Sequence, residues 1–272
     1  MMKPFRRILL VALLACATGF SLSCRSKQDS AAEETRAAPA ASPPAADPVT
    51  AASAAGHDPS LPPIDCPLRR AGVNPHDLQP FDDVEKYIAF LERPDRVVWQ
   101  KPDDVVRSLG LTGAETVADV GAGSGYFTFR LASALPNGKV VATDIAPEMV
   151  RHIHHKAMVE GVANVVAVLS DPDDPKVPPE ASVVFVCDVM HHVKNASAWV
   201  GSMYRETQPG ARVVLIEFKE GDLPEGPPAS VKIPRRRLVD LFTSAGFAEE
   251  AADSSLLPYQ YILTFRRPQG PT

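Results

Sequence analysis

The sequence predicts an α/β fold: a doubly wound, Rossmann-like seven-stranded sheet, mostly parallel, that ends in a C-terminal antiparallel hairpin. Three observations carry this prediction. Short apolar runs alternate with segments of helical periodicity from about residue 115 to residue 245. Three glycines at alternate positions follow the first of these runs, and two strand-like runs lie close together near the end of the chain. Strands that alternate with helices imply a parallel sheet covered by helices on both faces.

Two helices are expected before the first strand. Apolar residues between 81 and 91 follow helical spacing, and Pro94 ends this amphipathic segment. A second short helix is predicted over 102–109, because it begins with proline and acids and stops at Gly110.

The remaining elements alternate along the chain. We expect strands at 115–120, 139–144, 164–169, 182–188 and 212–218, helices at 124–135, 147–161, 195–207 and 234–245, and a closing strand pair near 247–254 and 259–266. Right-handed crossovers place the carboxyl ends of parallel strands along one edge, where ligands bind in open α/β sheets. The residues just after each strand are therefore the candidates for a site.

The first of these strand ends carries the strongest signal. Gly121, Gly123 and Gly125 let the backbone turn sharply, and amides at the start of the next helix offer hydrogen-bond donors to a ligand. The second strand ends in Asp144, about 25 residues after Asp119, where a carboxylate can accept both hydroxyls of a ribose. The pattern indicates a nucleotide-cofactor turn.

The spacing of the glycines favours S-adenosylmethionine over a dinucleotide. Tyr126 stands where a dinucleotide fingerprint needs its third glycine, so NAD-dependent reduction stays open as a less favoured class. Asp119 followed by Gly-Ala-Gly-Ser-Gly-Tyr resembles motif I of class I S-adenosylmethionine-dependent methyltransferases, and Thr-Asp-Ile-Ala-Pro-Glu-Met at 143–149 resembles their motif II. The resemblance covers about residues 81–266 and is nearest to the branch that includes quinone-biosynthesis methyltransferases.

The resemblance implies a set of cofactor-binding residues. In that family the first acid organises the glycine turn and the amino end of the methionine moiety, the second binds the ribose, and the residue after it packs on the adenine. An acid after the third strand accepts from the adenine amino group. The residues expected in these roles or beside them are Asp119, Gly121, Ala122, Gly123, Gly125, Asp144, Ile145, Asp171 and Asp188.

The fourth strand leads into the catalytic candidates, His191 and His192. A histidine with a pKa of about 6.5 can act as a general base toward a hydroxyl, amine or acid at neutral pH. Methyl transfer from a sulfonium chiefly needs alignment of the nucleophile, the methyl group and the leaving sulfur, so a base is optional. Helix capping or packing is the open alternative for both histidines.

The segment 91–102 carries side chains that are unusual for a plain connector. In the resembling family the segment before the first strand often covers the cofactor. We therefore expect a lid or substrate wall formed by Tyr87, Arg93, Arg96 and Trp99. Trp99 is suited to cation–π attraction toward a sulfonium. An N-terminal helical brace is an equally open interpretation.

Charge and composition exclude some functional classes. The chain has 272 residues and a formal net charge of −5, which argues against a nucleic-acid partner. Its 45% hydrophobic and 22% charged residues are ordinary for a globular protein. His152, His154 and His155 lack carboxylate or cysteine partners at a recognised spacing, so no metal site is predicted.

The N-terminal end resembles a bacterial lipoprotein signal. Three basic residues precede an apolar run over 8–22, and we expect residues 1–23 to be a signal peptide with Cys24 as the lipidated residue. Cys16 is the rival cleavage site. Residues 24–78, rich in Ala and Pro, are expected to be a disordered tether, and residues 79–272 the methyltransferase domain with its N-terminal helical lid.

These predictions combine into one hypothesis. We expect S-adenosylmethionine-dependent methyl transfer to a small-molecule acceptor by an exported, membrane-anchored lipoprotein that faces the periplasm. If the signal is not used, the enzyme is cytoplasmic. The alternative is a non-catalytic module that binds S-adenosylmethionine or a nucleotide while tethered to a membrane. The acceptor and the oligomeric state stay open.

Overall fold

Helices and strands follow one another in the predicted order. The computed structural model describes residues 67–73, 78 and 81–270. The helices are α1 (Pro67–Arg70), α2 (Phe81–Leu91), α3 (Arg96–Gln100), α4 (Pro102–Ser108), α5 (Thr128–Ser133), α6 (Pro147–Val159), α7 (Ala196–Glu206) and α8 (Arg235–Ser244). The strands are β1 (Thr116–Val120), β2 (Lys139–Asp144), β3 (Val165–Leu169), β4 (Val183–Cys187), β5 (Arg212–Phe218), β6 (Ala248–Asp253) and β7 (Gln260–Arg266).

The seven strands form one mixed sheet in the order β3-β2-β1-β4-β5-β7-β6. Strands β1 to β5 pair in parallel, while β7 pairs antiparallel with both β5 and β6. The predicted fold class is confirmed, including the C-terminal hairpin. Because β1 and β4 are neighbours whose crossovers leave in opposite directions, the strand order reverses between them, which is where open α/β sheets bind ligands.

Alternate residues of the central strands face different cores, as the period of a strand requires. In β4, Val184 and Val186 belong to a cluster with α7 and α8, whereas Val183 and Phe185 pack with α4 and α5. A third cluster lies between α6 and the strands β2 and β3. Both faces of the sheet are thus covered, which explains the nearly continuous apolar runs.

Three local differences from the predicted elements have physical causes. Helix α5 begins at Thr128 instead of residue 124, because the positive φ angles of Gly123 and Gly125 prolong the turn. Helix α3 was not predicted, since five residues are too few to show helical periodicity. Helix α1 lies inside the segment assigned to the tether, where buried Leu68 packs with α6 and β3, so the packed structure extends into that segment.

The predicted signal peptide, Cys16, Cys24 and most of the predicted tether lie outside the described residues. Within the described part of the chain, no helix combines the length and the apolar character needed to cross a bilayer.

Candidate functional site

The glycine turn connects β1 to α5 and is held against the end of β2. The amides of Gly121 and Ala122 both donate to the carbonyl of Thr143, at 2.8 and 3.0 Å. Gly121, Gly123 and Gly125 have φ angles of 71°, 56° and 81°, a region that residues with a Cβ rarely adopt. The alternating glycines therefore set the path of this turn.

The three glycines have different surroundings. A Cβ added at Gly121 would overlap the side chain of Val189, and one at Gly125 would lie 2.8 Å from Phe129. A Cβ added at Gly123 would meet only Leu91, at 3.4 Å. Packing thus requires the first and third glycines, whereas the second leaves room beside the backbone.

Asp119 lies within β1 and is 3% exposed. Its Oδ2 accepts a hydrogen bond of 2.6 Å from Thr128 Oγ1, which ties the start of α5 to the strand. Burial and the charge of Asp144 raise the pKa of Asp119 to about 7, even though Thr128 opposes the shift. A cation placed beside this carboxyl group would favour its ionised form.

Asp144 ends β2 and reaches back to the glycine turn. Its Oδ2 accepts from the Gly123 amide and its Oδ1 from the Ala146 amide, both at 2.8 Å. Burial raises the pKa of this carboxyl group, while the backbone hydrogen bonds lower it. Each oxygen keeps a second lone pair, so the carboxylate can still accept two hydroxyl groups. Ile145 follows directly and is 55% exposed, which offers apolar surface next to the acid.

Helices α2 and α3 lie over the carboxyl edge beside the glycine turn. Leu91, at the end of α2, contacts the space next to the second glycine, and Glu92 pairs with Lys156 of α6 at 3.2 Å. The Arg96 guanidinium lies 4.1 Å from the centroid of the Tyr126 ring. The segment therefore lies against the glycine turn and against α6.

Tyr87 occupies the outer surface of this cover. It is 50% exposed and stacks on Phe90, with 6.5 Å between ring centroids. Partial burial and the charge of Asp144 raise the pKa of the Tyr87 hydroxyl. The charge of Asp144 therefore acts on the Tyr87 hydroxyl.

Trp99 and Arg93 form part of an aromatic cluster with the ends of β5 and β7. The Trp99 ring centroid lies 5.8 Å from that of Phe218 and 6.4 Å from that of Tyr259. The Arg93 guanidinium lies 5.6 Å from the Trp99 ring and pairs with Glu225. These contacts fix α3 against the sheet edge through buried aromatic surface.

A polar cluster, which we call the Gln–Asp–Gln clasp, joins α3 to the ends of β4 and β7. Gln100 Nε2 donates to Asp188 Oδ2 at 2.9 Å, and Gln260 Nε2 donates to Asp188 Oδ1 at 2.5 Å. Both glutamines are fully buried. Arg96 Nη2 lies 4.0 Å from Asp188, and Arg96 Nε donates to Gln100.

Asp188 is held in an unusual state within this clasp. Its φ of 61° is sparsely populated for a residue other than glycine, and the clasp supplies the contacts that maintain it. Burial and the charge of Glu217 raise the pKa of Asp188 to about 6, while Arg96 opposes the shift. Because this pKa lies near neutral pH, a charged ligand placed beside Asp188 would change the fraction of the carboxyl group that is ionised.

The two predicted catalytic histidines have different surroundings, although their ring centroids lie 4.1 Å apart. His191 Nδ1 lies 3.0 Å from Glu217 Oε2, and the two side chains are 6% and 2% exposed. Burial disfavours the imidazolium, but the hydrogen bond and the charge of Glu217 outweigh it and raise the pKa of His191. His192 is exposed, and partial burial together with the charge of His191 lowers its pKa. His191 is therefore the histidine with an organised environment.

Glu217 also fixes the backbone of this segment, because its Oε1 accepts from the Met190 amide at 2.7 Å. With the carboxylate bound at Nδ1, the proton of a neutral His191 stays on that nitrogen and Nε2 carries the free lone pair. The pair is thus arranged as a base and its orienting group.

Asp171 follows β3, but its carboxylate is mostly exposed and pairs with Lys176 at 2.9 Å. Its backbone forms a bridge with Asp174 in a tight acidic turn. The described contacts of Asp171 are all within this turn. In the described part of the chain no cluster of three or more His, Cys, Asp or Glu side chains is arranged to hold a metal ion.

Sequence reasoning did not identify Gln100, Gln260 or Glu217 as site residues. Glu217 carried a usable signal, because it is an acid inside the otherwise apolar end of strand β5. Gln260 starts β7, whose antiparallel direction brings this end to the same edge as the carboxyl ends of the parallel strands. Gln100 and Gln260 bond to Asp188, and Glu217 bonds to His191. These contacts join distant parts of the chain and depend on the register of the sheet.

The residues at this edge fit an adenosyl sulfonium. Asp144 has acceptors for two ribose hydroxyls, Ile145 offers an apolar face, and Gly123 leaves space beside the backbone of the turn. Trp99 Nε1 and the Tyr126 hydroxyl are buried without a hydrogen-bond partner among the described residues. Buried carboxyl groups with raised pKa values favour a positively charged ligand.

Comparisons with known proteins agree with this geometry. Residues 118–213 match the family model described as a methyltransferase domain. A malonyl-[acyl-carrier protein] O-methyltransferase of Hahella chejuensis is 29% identical over 142 residues, which are 52% of this chain and 50% of that protein. A demethylmenaquinone methyltransferase of Tropheryma whipplei is 26% identical over 140 residues, or 52% of this chain and 55% of that one. The chain thus spans about half the length of these curated relatives.

Solved structures share the fold over a larger part of the chain. A SAM-dependent methyltransferase from Aquifex aeolicus superposes with a TM-score of 0.63 at 24% identity, over 68% of this chain and 98% of that one. Human N-acetylserotonin methyltransferase in complex with SAM gives a TM-score of 0.55 at 20% identity, over 74% of this chain and 62% of that one. The described part of the chain has the fold of S-adenosylmethionine-dependent methyltransferases.

Proposed function

We propose that this chain is an S-adenosylmethionine-dependent methyltransferase that acts on a small-molecule acceptor. The observation that carries the proposal is the arrangement at the end of β2, where Asp144 binds the Gly123 amide and keeps two acceptor lone pairs. The matching methyltransferase domain and the shared fold support it.

One group of residues at this edge would bind the cofactor, and another would bind and deprotonate the acceptor. Asp144 would bind the ribose, Ile145 would pack on the adenine, and Asp119 would favour the cationic end of the ligand. When bound, S-adenosylmethionine supplies the methyl group, and the electron pair of the broken carbon–sulfur bond stays on sulfur. His191 Nε2 would take the proton of an acceptor hydroxyl while Glu217 stabilises the resulting imidazolium.

Calorimetry of the full-length chain tests the cofactor. We expect binding of S-adenosylmethionine and S-adenosylhomocysteine, and a loss of at least about 100-fold in affinity for Asp144→Ala and Gly123→Val, because these remove the ribose acceptor and fill the space beside it. Glu160→Ala is the matched control, since it removes an exposed acid at the far end of α6. Wild-type protein that binds NAD and neither adenosyl ligand would contradict the proposal.

The role of His191 needs a separate measurement. His191→Ala should keep cofactor affinity within about twofold while it slows methyl transfer to hydroxyl acceptors by about 10²-fold or more, the usual range for a general base. Transfer from radiolabelled S-adenosylmethionine across a panel of phenols, acids and amines provides the assay. Protein that binds the cofactor tightly but labels nothing in such a panel would favour the non-catalytic binding module.

We also propose that the chain is exported and anchored by a lipid on Cys24. The support is the basic, then apolar, N-terminal sequence that ends at this cysteine. Metabolic labelling with palmitate, followed by fractionation, should label the wild type in the membrane fraction and leave Cys24→Ala unlabelled. A soluble, unlabelled wild type would favour the cytoplasmic alternative.

A further inference from the structure

An open cleft lies beside the candidate site, between the start of α7 and helix α8. It has a volume of about 640 Å³, within the range of small-molecule sites. About half of its wall is apolar, and this half includes Met190, Val193, Val231, Ile233, Leu238 and Leu241. The cleft therefore has the size and surface for one small molecule with an apolar body.

The wall of this cleft continues into the glycine turn. Val189 packs against Gly121 on the cofactor side, and the next two residues, Met190 and His191, line the cleft. One short segment therefore borders both the glycine turn and the cleft, so a molecule in the cleft would lie next to the residues that flank the cofactor side.

The open rim of the cleft is positively charged. Lys194 and Arg237 line it, are exposed, and form no ion pair with any side chain in the described part of the chain. Helix α7 starts here with no acid in its first turn, which adds partial positive charge. Asp240 is the acid that lines the cleft, and it lies 3.9 Å from Arg236.

The inner end of the cleft holds a proton acceptor. His191 is nearly buried and its Nδ1 is bound to Glu217, while its Nε2 has no hydrogen-bond partner within the described residues. The cleft thus combines a base inside, an apolar wall, and cations at the rim. The base suits a hydroxyl group at one end of a ligand, the apolar wall suits its body, and the cations suit an anion at its other end.

We propose that this cleft binds the methyl acceptor and that the acceptor is an apolar hydroxy acid. Its hydroxyl would lie at His191 Nε2, its apolar body along Leu238 and Leu241, and its carboxylate between Lys194 and Arg237. The assignment as acceptor rests on the proposed methyltransferase function, whereas binding of the hydroxy acid in the cleft can be measured independently.

Titration of the full-length chain with 6-hydroxy-2-naphthoate tests the class of ligand. We expect binding that weakens about tenfold in Arg237→Glu, because the rim loses one cation and gains an acid. Arg205→Glu changes the net charge equally on the neighbouring helix α7, at an exposed position that does not line the cleft, and it should stay within about twofold. The neutral 6-hydroxy-2-naphthamide should bind wild type about tenfold more weakly and should not respond to Arg237→Glu. Ser197→Trp, which narrows the cleft at an exposed position, should weaken both compounds.

Several outcomes would overturn the inference. They are equal affinity for the acid and the amide, equal losses in Arg237→Glu and Arg205→Glu, and no measurable binding of the acid to wild type. Cofactor titration of the same proteins separates the two proposals. Binding of S-adenosylmethionine without binding of the naphthoate would remove the cleft assignment and leave the proposed function. Binding of the naphthoate without binding of S-adenosylmethionine would remove the proposed function and, with it, the assignment as methyl acceptor, and would leave the cleft as a hydroxy-acid site.

Discussion

At the scale of single residues, the three glycines of the turn have unequal tasks. Gly121 and Gly125 are pressed against Val189 and Phe129, whereas Gly123 meets little beyond Leu91. At Gly121 and Gly125 both the backbone conformation and the packing therefore oppose any larger side chain, whereas at Gly123 the backbone conformation opposes it almost alone.

This difference predicts separate effects of alanine at two neighbouring positions. Gly121→Ala should reduce the free energy of unfolding by about 2–4 kcal/mol, because the new methyl group overlaps Val189 at a positive φ. Gly123→Ala should cost only about 1 kcal/mol, the conformational part. Urea denaturation at neutral pH measures both values, and equal losses would show that the Val189 contact does not matter.

The Glu217–His191 pair gives a second residue-scale prediction. The pKa of His191 should lie above its ordinary value in wild type and fall in Glu217→Gln, because glutamine keeps an acceptor for the Met190 amide but loses the charge. Titration of the histidine ring signals by NMR measures it. His154 of α6, whose pKa does not depend on Glu217 or His191, serves as the internal reference, and a parallel shift of His154 and His191 would argue for a global change instead.

At the scale of elements, α3 is a short helix whose position depends on the Gln–Asp–Gln clasp and on Trp99. Five residues cannot form a stable helix by themselves. Tertiary contacts at its C-terminal end must therefore hold it, and the clasp is the polar part of those contacts.

Removing the clasp should loosen α3 selectively. Gln100→Leu leaves Asp188 without one of its two amide donors, so we expect amide exchange over 96–101 to accelerate about tenfold while α7 is unchanged. Hydrogen exchange read by mass spectrometry provides the test, with Gln208→Leu as a control outside the clasp. Equal protection of α3 in both variants would mean that the aromatic contacts suffice.

The same elements show what could be read from the sequence. Strands β2 and β5 match their predicted bounds because their ends coincide with charged or glycine-containing turns. The start of α5 was missed because the turn before it continues through glycines in a helix-incompatible conformation. The clasp and the Glu217 contact could not be predicted, since strand order and register decide which distant side chains meet.

At the scale of the whole molecule, the carboxyl edge gathers buried carboxyl groups that resist ionisation. Burial is the largest cause, and it raises the pKa of Asp119 to about 7 and that of Asp188 to about 6. In the unfolded chain both groups lose their protons near pH 4. Between about pH 4 and 7 the folded state therefore holds more protons than the unfolded state.

The sign of the pH dependence follows from that difference. These carboxyl groups should therefore contribute most to stability near pH 4 and lose that contribution as the pH rises toward 7, and His191, whose pKa is raised, adds to the loss at higher pH. Burial lowers the pKa values of His152, His154 and His192, which gives a contribution of the opposite sign. Urea unfolding at a series of pH values measures the slope in wild type and in Asp119→Asn. Between pH 4 and 7 the variant should lose less stability, or gain more, than wild type as the pH rises, and equal slopes would show that Asp119 ionises normally in the folded protein.

The contact between Val189 and Gly121 also bears on how such a protein can change. It couples the half of the sheet edge that carries the ribose acid to the half that carries the open cleft. A larger side chain at position 189 would displace the glycine turn, so mutations there would change the affinities for the cofactor and for the ligand of the cleft together. On helix α8, Arg237 is exposed and Leu241 is only partly buried, so altered selectivity should evolve, or be engineered, most readily at these two positions.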